Sequence, residues 1–271
     1  GDHVALCIEN HPRYFEIIWG CHYAGLVYTA CSSRLTSDEL SYIVNDCGAK
    51  AYITSKYKAD QATELLDSTP NVHLRLMIDG TVSGYDSFED ALSLCSVVPL
   101  EERIDGTDML YSSGTTGKPK GVRLQFARSP LGTPNALTGL GQFLFSFNED
   151  TIYLSPAPLY HAAPLRWNMS VHRTGGTSVV MNHFDAEDFL HCIEQQHAFQ
   201  SDHTSPNEIG LGFFQAAGDG AEVAVTEFPL QIQDLAQTSL FGNVARANRH
   251  EMRSWEFGCH DGDGFGRFRA S

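Results

Sequence analysis

A short stretch of the chain concentrates the groups that an anion site needs. Residues 111–122 read Y-S-S-G-T-T-G-K-P-K-G-V. The glycines Gly114, Gly117 and Gly121 let the backbone turn tightly, so that consecutive N–H groups can converge on one anion. Hydroxyl groups add donors, two lysines add positive charge, and Pro119 stops the loop from continuing as a helix. We therefore predict a polyphosphate-binding loop. Its predicted binding residues are Ser112, Ser113, Gly114, Thr115, Thr116, Gly117, Lys118 and Lys120.

Two familiar phosphate-binding patterns do not fit this loop. A Walker-type loop has four residues between its glycines and a Ser or Thr after the lysine, whereas here two residues separate Gly114 from Gly117 and Pro119 follows Lys118. A dinucleotide fingerprint needs G-x-G-x-x-G at the start of a helix, and that spacing is also missing. The remaining alternative is a polar surface turn without a ligand, which the ordered composition of the loop disfavours.

The elements before the loop alternate between strands and helices. The strongest helix signal is a capping box at Thr36 and Glu39, with Gly48 as the stop after residues 36–47. A second helix is predicted at 10–24, with Asn10 as its N-cap. Such alternation predicts an α/β fold with a largely parallel sheet. The predicted strands are 4–8, 27–30, 51–54, 74–78 and 109–112, and a shorter helix is predicted at 59–66.

Beyond the loop, residues 123–138 are polar and rich in Pro and Gly, which predicts an exposed segment. Asp185 can cap a helix whose inward positions are Phe189, Cys192 and Ile193. After about residue 198 periodicity weakens and no element is predicted. The other predictions are strands at 151–154 and 177–181 and a helix at 159–174.

Composition excludes several classes of protein. A formal net charge of −15 disfavours a general nucleic-acid binder. No apolar run is long enough for a membrane span, and the first residues do not resemble a signal peptide. The seven cysteines form no C-x-x-C pair and are odd in number. Free thiols in a reducing compartment, the cytoplasm, are therefore predicted.

The loop at 111–122 resembles the phosphate-binding signature of the adenylate-forming enzyme superfamily, in particular its AMP-forming acyl-CoA synthetases. Other segments resemble the same family in the same order. They are A-G-L-V at 24–27, R-L-T-S-D-E-L at 34–40, S-P-A-P-L-Y-H-A-A-P-L at 155–165 and G-G-T-S-V-V-M at 175–181. The resemblance covers residues 1–197. It implies an incomplete AMP-binding (adenylation) domain, the N-terminal part of the large domain, with a mostly parallel sheet flanked by helices.

The resemblance also implies a reaction. A carboxylic acid, of fatty-acyl or aryl-acyl type, attacks the α-phosphate of ATP with Mg²⁺ present, and coenzyme A then takes the acyl group. Residues 113–120 would hold the β- and γ-phosphates, with Thr115 and Thr116 as the main donors. His161 matches the family histidine near the acyl carboxylate and is the predicted catalytic residue. No metal ligand is assigned in this chain. A carrier protein or oxygen remains open as the acceptor in place of coenzyme A.

Two further expectations come from the second half of the chain. Tyr160, Trp167 and Met169 could line an acyl tunnel, although ordinary helix packing explains them equally well. Residues 198–271 match no later signature of the family, and no lysine follows Lys120, so the family's C-terminal lysine is not here. We therefore treat 198–271 as an unassigned tail, out of frame or fused, and expect the chain to be inactive alone. The alternative is a non-catalytic nucleotide-binding or interaction remnant.

Overall fold

The computed structural model describes residues 1–96, 98, 100–101, 103–112, 118–123, 125–196, 255–259 and 265–270. The chain divides into two compact units. The first unit comprises Gly1–Thr133 together with Leu159–His161, and the second comprises Pro134–Pro158 and Ala162–Ser271.

A seven-stranded sheet forms the first unit, in the order β5-β4-β3-β1-β2-β6-β7. Neighbouring strands are parallel except for β6 and β7, which are antiparallel. The predicted parallel sheet is confirmed. Its strands are β1 (His3–Cys7), β2 (Val27–Ala30), β3 (Ala51–Ser55), β4 (Leu74–Ile78), β5 (Asp86–Ser87), β6 (Thr107–Ser112) and β7 (Lys120–Arg123).

The central strand β1 is buried on both faces. Ala5, Leu6 and Cys7, whose side chains alternate between the two faces, are each 0% exposed, as is typical of strands in parallel sheets. On one face Leu40, Ile43 and Val44 pack into the same apolar cluster as Ala5 and Cys7. The helices of this unit are α1 (Tyr14–Tyr23), α2 (Ser37–Asp46), α3 (Ala59–Glu64) and α4 (Phe88–Ser93).

Helix α2 begins and ends where the sequence predicts. The Thr36 hydroxyl accepts a hydrogen bond from the Glu39 amide, and the Glu39 carboxylate accepts one from the Thr36 amide, so the capping box is present. Two otherwise unpaired amides are satisfied in this way. Gly48 follows with φ +69°, a conformation that glycine adopts without strain and that ends the helix.

The predicted start of α1 is wrong. The helix begins at Tyr14, and Arg13 at its N-cap provides no side-chain hydrogen bond. Pro12 restricts the backbone of the residue before it, so the helix cannot start at Asn10. The Asn10 side chain instead accepts a hydrogen bond from the Leu159 amide at 2.8 Å. A long-range partner therefore replaces the local cap.

The second unit contains a four-stranded sheet in the order β10-β11-β9-β8. Strands β8 and β9 are parallel, whereas β9, β11 and β10 pair antiparallel. The strands are β8 (Ile152–Ser155), β9 (Thr177–Met181), β10 (Trp255–Cys259) and β11 (Phe265–Ala270), and the helices are α5 (Ala136–Phe145), α6 (Ala162–Arg173) and α7 (Ala186–Gln196).

Three features of this unit differ from the predictions or add to them. Helix α5 starts inside the segment that we expected to be an exposed loop, because Asn135 caps it by accepting a hydrogen bond from the Thr138 amide at 2.8 Å. Helix α6 begins at Ala162, three residues later than predicted. Strands β10 and β11 lie in the region without a predicted element. The predicted cap of α7 is confirmed, since the Asp185 carboxylate accepts from the Glu187 and Asp188 amides.

All cysteines whose side chains the structure describes are free thiols, and all except Cys95 are buried. Burial raises the pKa of Cys7 to about 11 and that of Cys21 to about 12, so both remain protonated. In the part of the chain that the structure describes, no helix is long and apolar enough to cross a membrane.

The end of α1 packs directly against the start of β6, the strand that leads into the predicted phosphate loop. His22 Nδ1 lies 2.5 Å from Asp105 Oδ1, and the Gly106 amide donates to the His22 carbonyl at 3.0 Å. A Cβ atom on Gly106 would lie 2.5 Å from the Leu26 carbonyl oxygen and 2.6 Å from that of Cys21. Only glycine fits here without a shift of the backbone.

We expect Gly106→Ala to lower the free energy of unfolding by about 3 kcal/mol or more, since both obstructing atoms belong to the backbone. Gly20→Ala is the matched control. Gly20 lies in α1 with open space around its Cβ position, so alanine there should stabilise the protein by about 0.5–1 kcal/mol. Chemical denaturation measures both, and equal effects of the two substitutions would contradict the close packing at Gly106.

Candidate nucleotide-binding site

The carboxyl ends of the parallel strands place the candidate residues at one edge of the first sheet. Asn10 follows β1, Arg34 follows β2, and the predicted phosphate loop follows β6. Because β1 is connected to β2 on one side and pairs with β3 on the other, the edge includes a point where the strand order reverses. Open α/β sheets bind their ligands at such points. Residues far apart in sequence therefore converge here.

The predicted phosphate loop connects two paired strands, β6 and β7. Strands β6 and β7 pair antiparallel, with Ser112 opposite Lys120, so the loop between them comprises residues 113–119. The side chains of Ser112, Lys118 and Lys120 are exposed, and the Ser112 hydroxyl donates to the Lys120 carbonyl at 3.5 Å. The other predicted phosphate ligands lie outside the described residues. They are Ser113, Gly114, Thr115, Thr116 and Gly117.

Gly121 has a different role from the one predicted. It lies in strand β7, opposite Tyr111, and not in the turn. A Cβ atom at Gly121 would lie 2.4 Å from the Met109 methyl group and 2.9 Å from the Tyr111 ring. The missing side chain lets the Tyr111 ring cover the strand, as aromatic residues do beside a strand glycine.

Helix α2 anchors the hairpin through two contacts that the sequence analysis missed. The Tyr111 hydroxyl donates to the Asp46 carboxylate at 2.5 Å. The Lys118 ammonium lies 4.7 Å from the centre of the Tyr42 ring, within the range of a cation–π contact. Tyr42 and Asp46 are four residues apart and so share one face of the helix. The four-residue spacing of Tyr42 and Asp46, just after the R-L-T-S-D-E-L motif, is the sequence signal that could have indicated these contacts.

Tyr111 remains a hydrogen-bond donor under ordinary conditions. Partial burial and the bond to Asp46 hold the pKa of its phenol well above the usual range, with burial the larger cause. A protonated phenol beside a carboxylate makes a charge-assisted bond, which is stronger than a neutral one. The stem of the loop is therefore fixed to α2 on the side of β6.

The candidate catalytic residue His161 also belongs to the first unit. Its ring is half-buried, and the Tyr160 ring lies against it with centroids 4.3 Å apart. Burial, followed by the positive charge of Arg34, lowers the pKa of the imidazole. His161 is therefore neutral at physiological pH and has one nitrogen that donates and one that accepts.

The proposed acyl-tunnel residues differ in their surroundings. Trp167 is buried in the second unit, and its ring makes edge contacts with Phe145 and Phe147 at 5.5 and 5.6 Å between centroids. Met169 is 5% exposed. Both side chains therefore pack in a core, as helix packing predicts, whereas Tyr160 is partly exposed beside His161. Among the residues that the structure describes, no group of three or more His, Cys, Asp or Glu could hold a metal ion.

The mostly parallel sheet agrees with the comparisons to known proteins. The chain belongs to the AMP-binding enzyme family, whose model matches residues 1–200.

Individual relatives are distant and longer. The 2-succinylbenzoate–CoA ligase of Oceanobacillus iheyensis is 28% identical over 198 residues, which make up 71% of this chain and 37% of that protein. The long-chain fatty acid transport protein 6 of Mus musculus is 29% identical over 199 residues, 70% of this chain and 31% of that protein. The chain thus spans about a third of the length of the curated relatives it matches.

Among solved structures, the inhibitor-bound N-terminal domain of FACL13 from Mycobacterium tuberculosis superimposes with a TM-score of 0.62 and 25% identity. The match covers 73% of this chain and 48% of that one. The fold predicted by the resemblance, a mostly parallel sheet flanked by helices from the N-terminal part of an adenylate-forming enzyme, is confirmed.

The bond between Tyr111 and Asp46 can be tested with a double-mutant cycle. We expect Tyr111→Phe and Asp46→Ala each to lower the free energy of unfolding, with a coupling energy of about 1 kcal/mol because each removes the same hydrogen bond. Urea denaturation of the two single variants and the double variant gives that energy. Strictly additive effects would mean that the phenol and the carboxylate do not interact.

The His161 ring should titrate below pH 6.5 in NMR spectra of the folded chain. Between that pKa and 6.5 the unfolded state binds more protons, so the contribution of this group to stability falls as the pH drops below about 6.5. Arg34→Gln should raise the pKa of His161, because it removes a neighbouring positive charge. Lys50→Gln is the matched control. It also removes one positive charge, but at the start of β3, on the opposite edge of the sheet, and should leave the His161 titration unchanged.

Proposed function

We propose that the protein containing this chain activates a carboxylic acid with ATP, forming an acyl-adenylate and pyrophosphate, and then transfers the acyl group to coenzyme A. The observation that carries this proposal is the hairpin loop of residues 113–119, which lies between β6 and β7 in a chain of the AMP-binding enzyme family. The names of the relatives, a CoA ligase among them, support the same chemistry.

In the proposed first step, a carboxylate oxygen bonds to the α-phosphorus of ATP while the bond to the β-phosphate oxygen breaks. Negative charge accumulates on the departing pyrophosphate. Thr115 and Thr116 donate hydrogen bonds to its oxygens, and Lys118 and Lys120 supply positive charge. Donors that bind the leaving group more strongly in the transition state than in the ground state lower the barrier.

Two residues that the structure describes suit the proposed first step, one at the phosphates and one beside the acid. Lys118 is exposed and its ammonium lies over the Tyr42 ring, so binding a phosphate there would exchange one attraction for another. His161 is neutral and donates a hydrogen bond beside the acid without adding a full charge. Mg²⁺, when bound, would neutralise phosphate charge. In the described residues no cluster suits it, so its ligands would be phosphate oxygens, water and groups elsewhere in the protein.

The proposed acid is a fatty acid. The relatives are named for different acids, including 2-succinylbenzoate and ferulate, and one is a long-chain fatty acid transport protein. The proposed location is the cytoplasm, which the free thiols support. We further propose that residues 1–197 are the adenylation part, that 198–271 add none of its binding groups, and that the 271 residues alone do not turn over.

Acid-dependent ATP–pyrophosphate exchange tests the proposal. The full-length protein is assayed with Mg²⁺ and acids of short to long chain, beside the 271-residue chain. We expect exchange with the full-length protein and none with the chain alone. Thr116→Val keeps the side-chain shape and removes one hydroxyl. A hydrogen bond to a charged group contributes ~1.5–3 kcal/mol, so its loss should reduce the exchange rate roughly 10- to 100-fold.

Thr63→Val is the matched control. It removes an exposed hydroxyl of helix α3, which bonds the Ala59 carbonyl, and should leave the exchange rate unchanged. Absence of exchange in the full-length protein with every acid would overturn the proposed activity and favour a non-catalytic remnant. An unaffected rate in Thr116→Val would remove that hydroxyl from the pyrophosphate site.

A further inference from the structure

We infer that Asn10 is a positioning residue, whose side chain holds the backbone segment of His161 against the carboxyl end of β1. The catalytic meaning of this role rests on the proposed function, but the positioning itself does not. Asn10 precedes Leu159 by 149 residues, and its carboxamide oxygen accepts the Leu159 amide hydrogen bond at 2.8 Å. His161 is only two residues further along the chain.

Both partners of this hydrogen bond are buried. Asn10 is 9% exposed and Leu159 is 0% exposed. Water therefore cannot readily replace the asparagine as acceptor, and a buried amide without a partner is unfavourable. The bond fixes the segment at one defined point, because a backbone amide, unlike a side chain, has no rotamers.

Asn10 follows a strand that is hydrogen-bonded to a neighbour on each side. The strand before Asn10 is β1, which pairs with β2 on one side and β3 on the other. Beside it the Ser55 hydroxyl, at the end of β3, donates to the Glu9 carboxylate at 2.5 Å. Asn10 thus follows a strand in the interior of the sheet, at the point where the strand order reverses.

This arrangement explains why the segment of residues 159–161 belongs to the first unit although its flanking residues belong to the second. With Leu159 fixed, the backbone leading to His161 has few alternatives, and the imidazole stays half-buried beside Tyr160. Precise placement of a reacting or polarising group accounts for much of a catalytic effect. Asn10 acts on the reaction through His161 and does not itself need to touch a substrate.

Three substitutions separate this role from general stability. Asn10→Ala removes the acceptor, Asn10→Ser shortens it beyond reach, and Asn10→Asp keeps an oxygen at the same position. Thr54→Val is the matched control, since the Thr54 hydroxyl makes a buried hydrogen bond of similar length, 2.9 Å to the Cys7 carbonyl, in the same sheet. It should destabilise the unit without affecting residues 159–161.

Amide hydrogen exchange and histidine NMR are recorded on this chain without substrate. We expect exchange at the Leu159 amide to accelerate about tenfold or more in Asn10→Ala and Asn10→Ser, relative to neighbouring amides, and to stay slow in Asn10→Asp. The His161 titration midpoint should rise towards 6.5 in the Ala and Ser variants as the ring becomes exposed. Thr54→Val should change neither quantity.

Unchanged Leu159 exchange and an unchanged His161 titration in Asn10→Ser would overturn the inference, as would equal changes in Thr54→Val. In the full-length protein, Asn10→Ser should lower kcat of the exchange reaction while KM for ATP stays constant. Because the NMR measurements need no acid or ATP, they decide the positioning role even if every acid fails to support exchange. A positive NMR result without exchange activity would contradict only the proposed function.

Discussion

Parallel pairing of β1 with both β2 and β3 is the constraint on which the rest of the first unit depends. Because parallel strands all end at the same edge, the segments after them converge there regardless of their distance in sequence. A parallel pair needs a crossover connection that returns the chain to its starting edge, and the connections from β1 to β2 and from β2 to β3 each contain a helix. The residues of the site are therefore brought together by backbone topology before any side chain of the site contributes.

On this base, the antiparallel strand β7 has a separate purpose. It turns what would be a free loop after β6 into a hairpin whose two ends are paired, Ser112 with Lys120. Contacts with α2 then hold the stem from one side through Tyr111 and Asp46. A loop with fixed ends loses less conformational entropy when it closes on an anion than a loop with free ends. Rigidity at the stem would thus favour the proposed binding of phosphate.

Local signals predicted much of this fold. The capping box at Thr36 and Glu39, Gly48 as a stop, and the strand at Leu74–Ile78 are all encoded within a few consecutive residues, and the structure has them as predicted. The strand that precedes the predicted phosphate loop was also readable. Strand β10 has a strand signal in the sequence, because Trp255, Phe257 and Cys259 alternate with Glu256 and Gly258. The signal was too weak to predict a strand, since the sequence does not show which strand it pairs with.

What the sequence could not predict depends on partners far away along the chain. Asn10 looks like a helix cap, and only the tertiary fold brings the Leu159 amide to it. Gly121 looks like a turn residue, and only the pairing of β6 with β7 places the Tyr111 ring over it. The contact between Lys118 and Tyr42 likewise requires α2 to lie beside the hairpin. Residue type suggested a role at each position, and topology assigned another.

The link between Asn10 and Leu159 also bears on how the protein is made. After the ribosome has added Asn10, it must add 149 more residues before Leu159, the hydrogen-bond donor to Asn10, has been synthesised. At ~5–20 residues per second that interval is roughly 7–30 s, far longer than local helix formation. During that time β1 and its first neighbours can already pair, whereas the acceptor at their edge faces solvent or other chains. The strands that support the site are thus synthesised early and the segment of His161 follows later, so this part of the site assembles in the direction of translation.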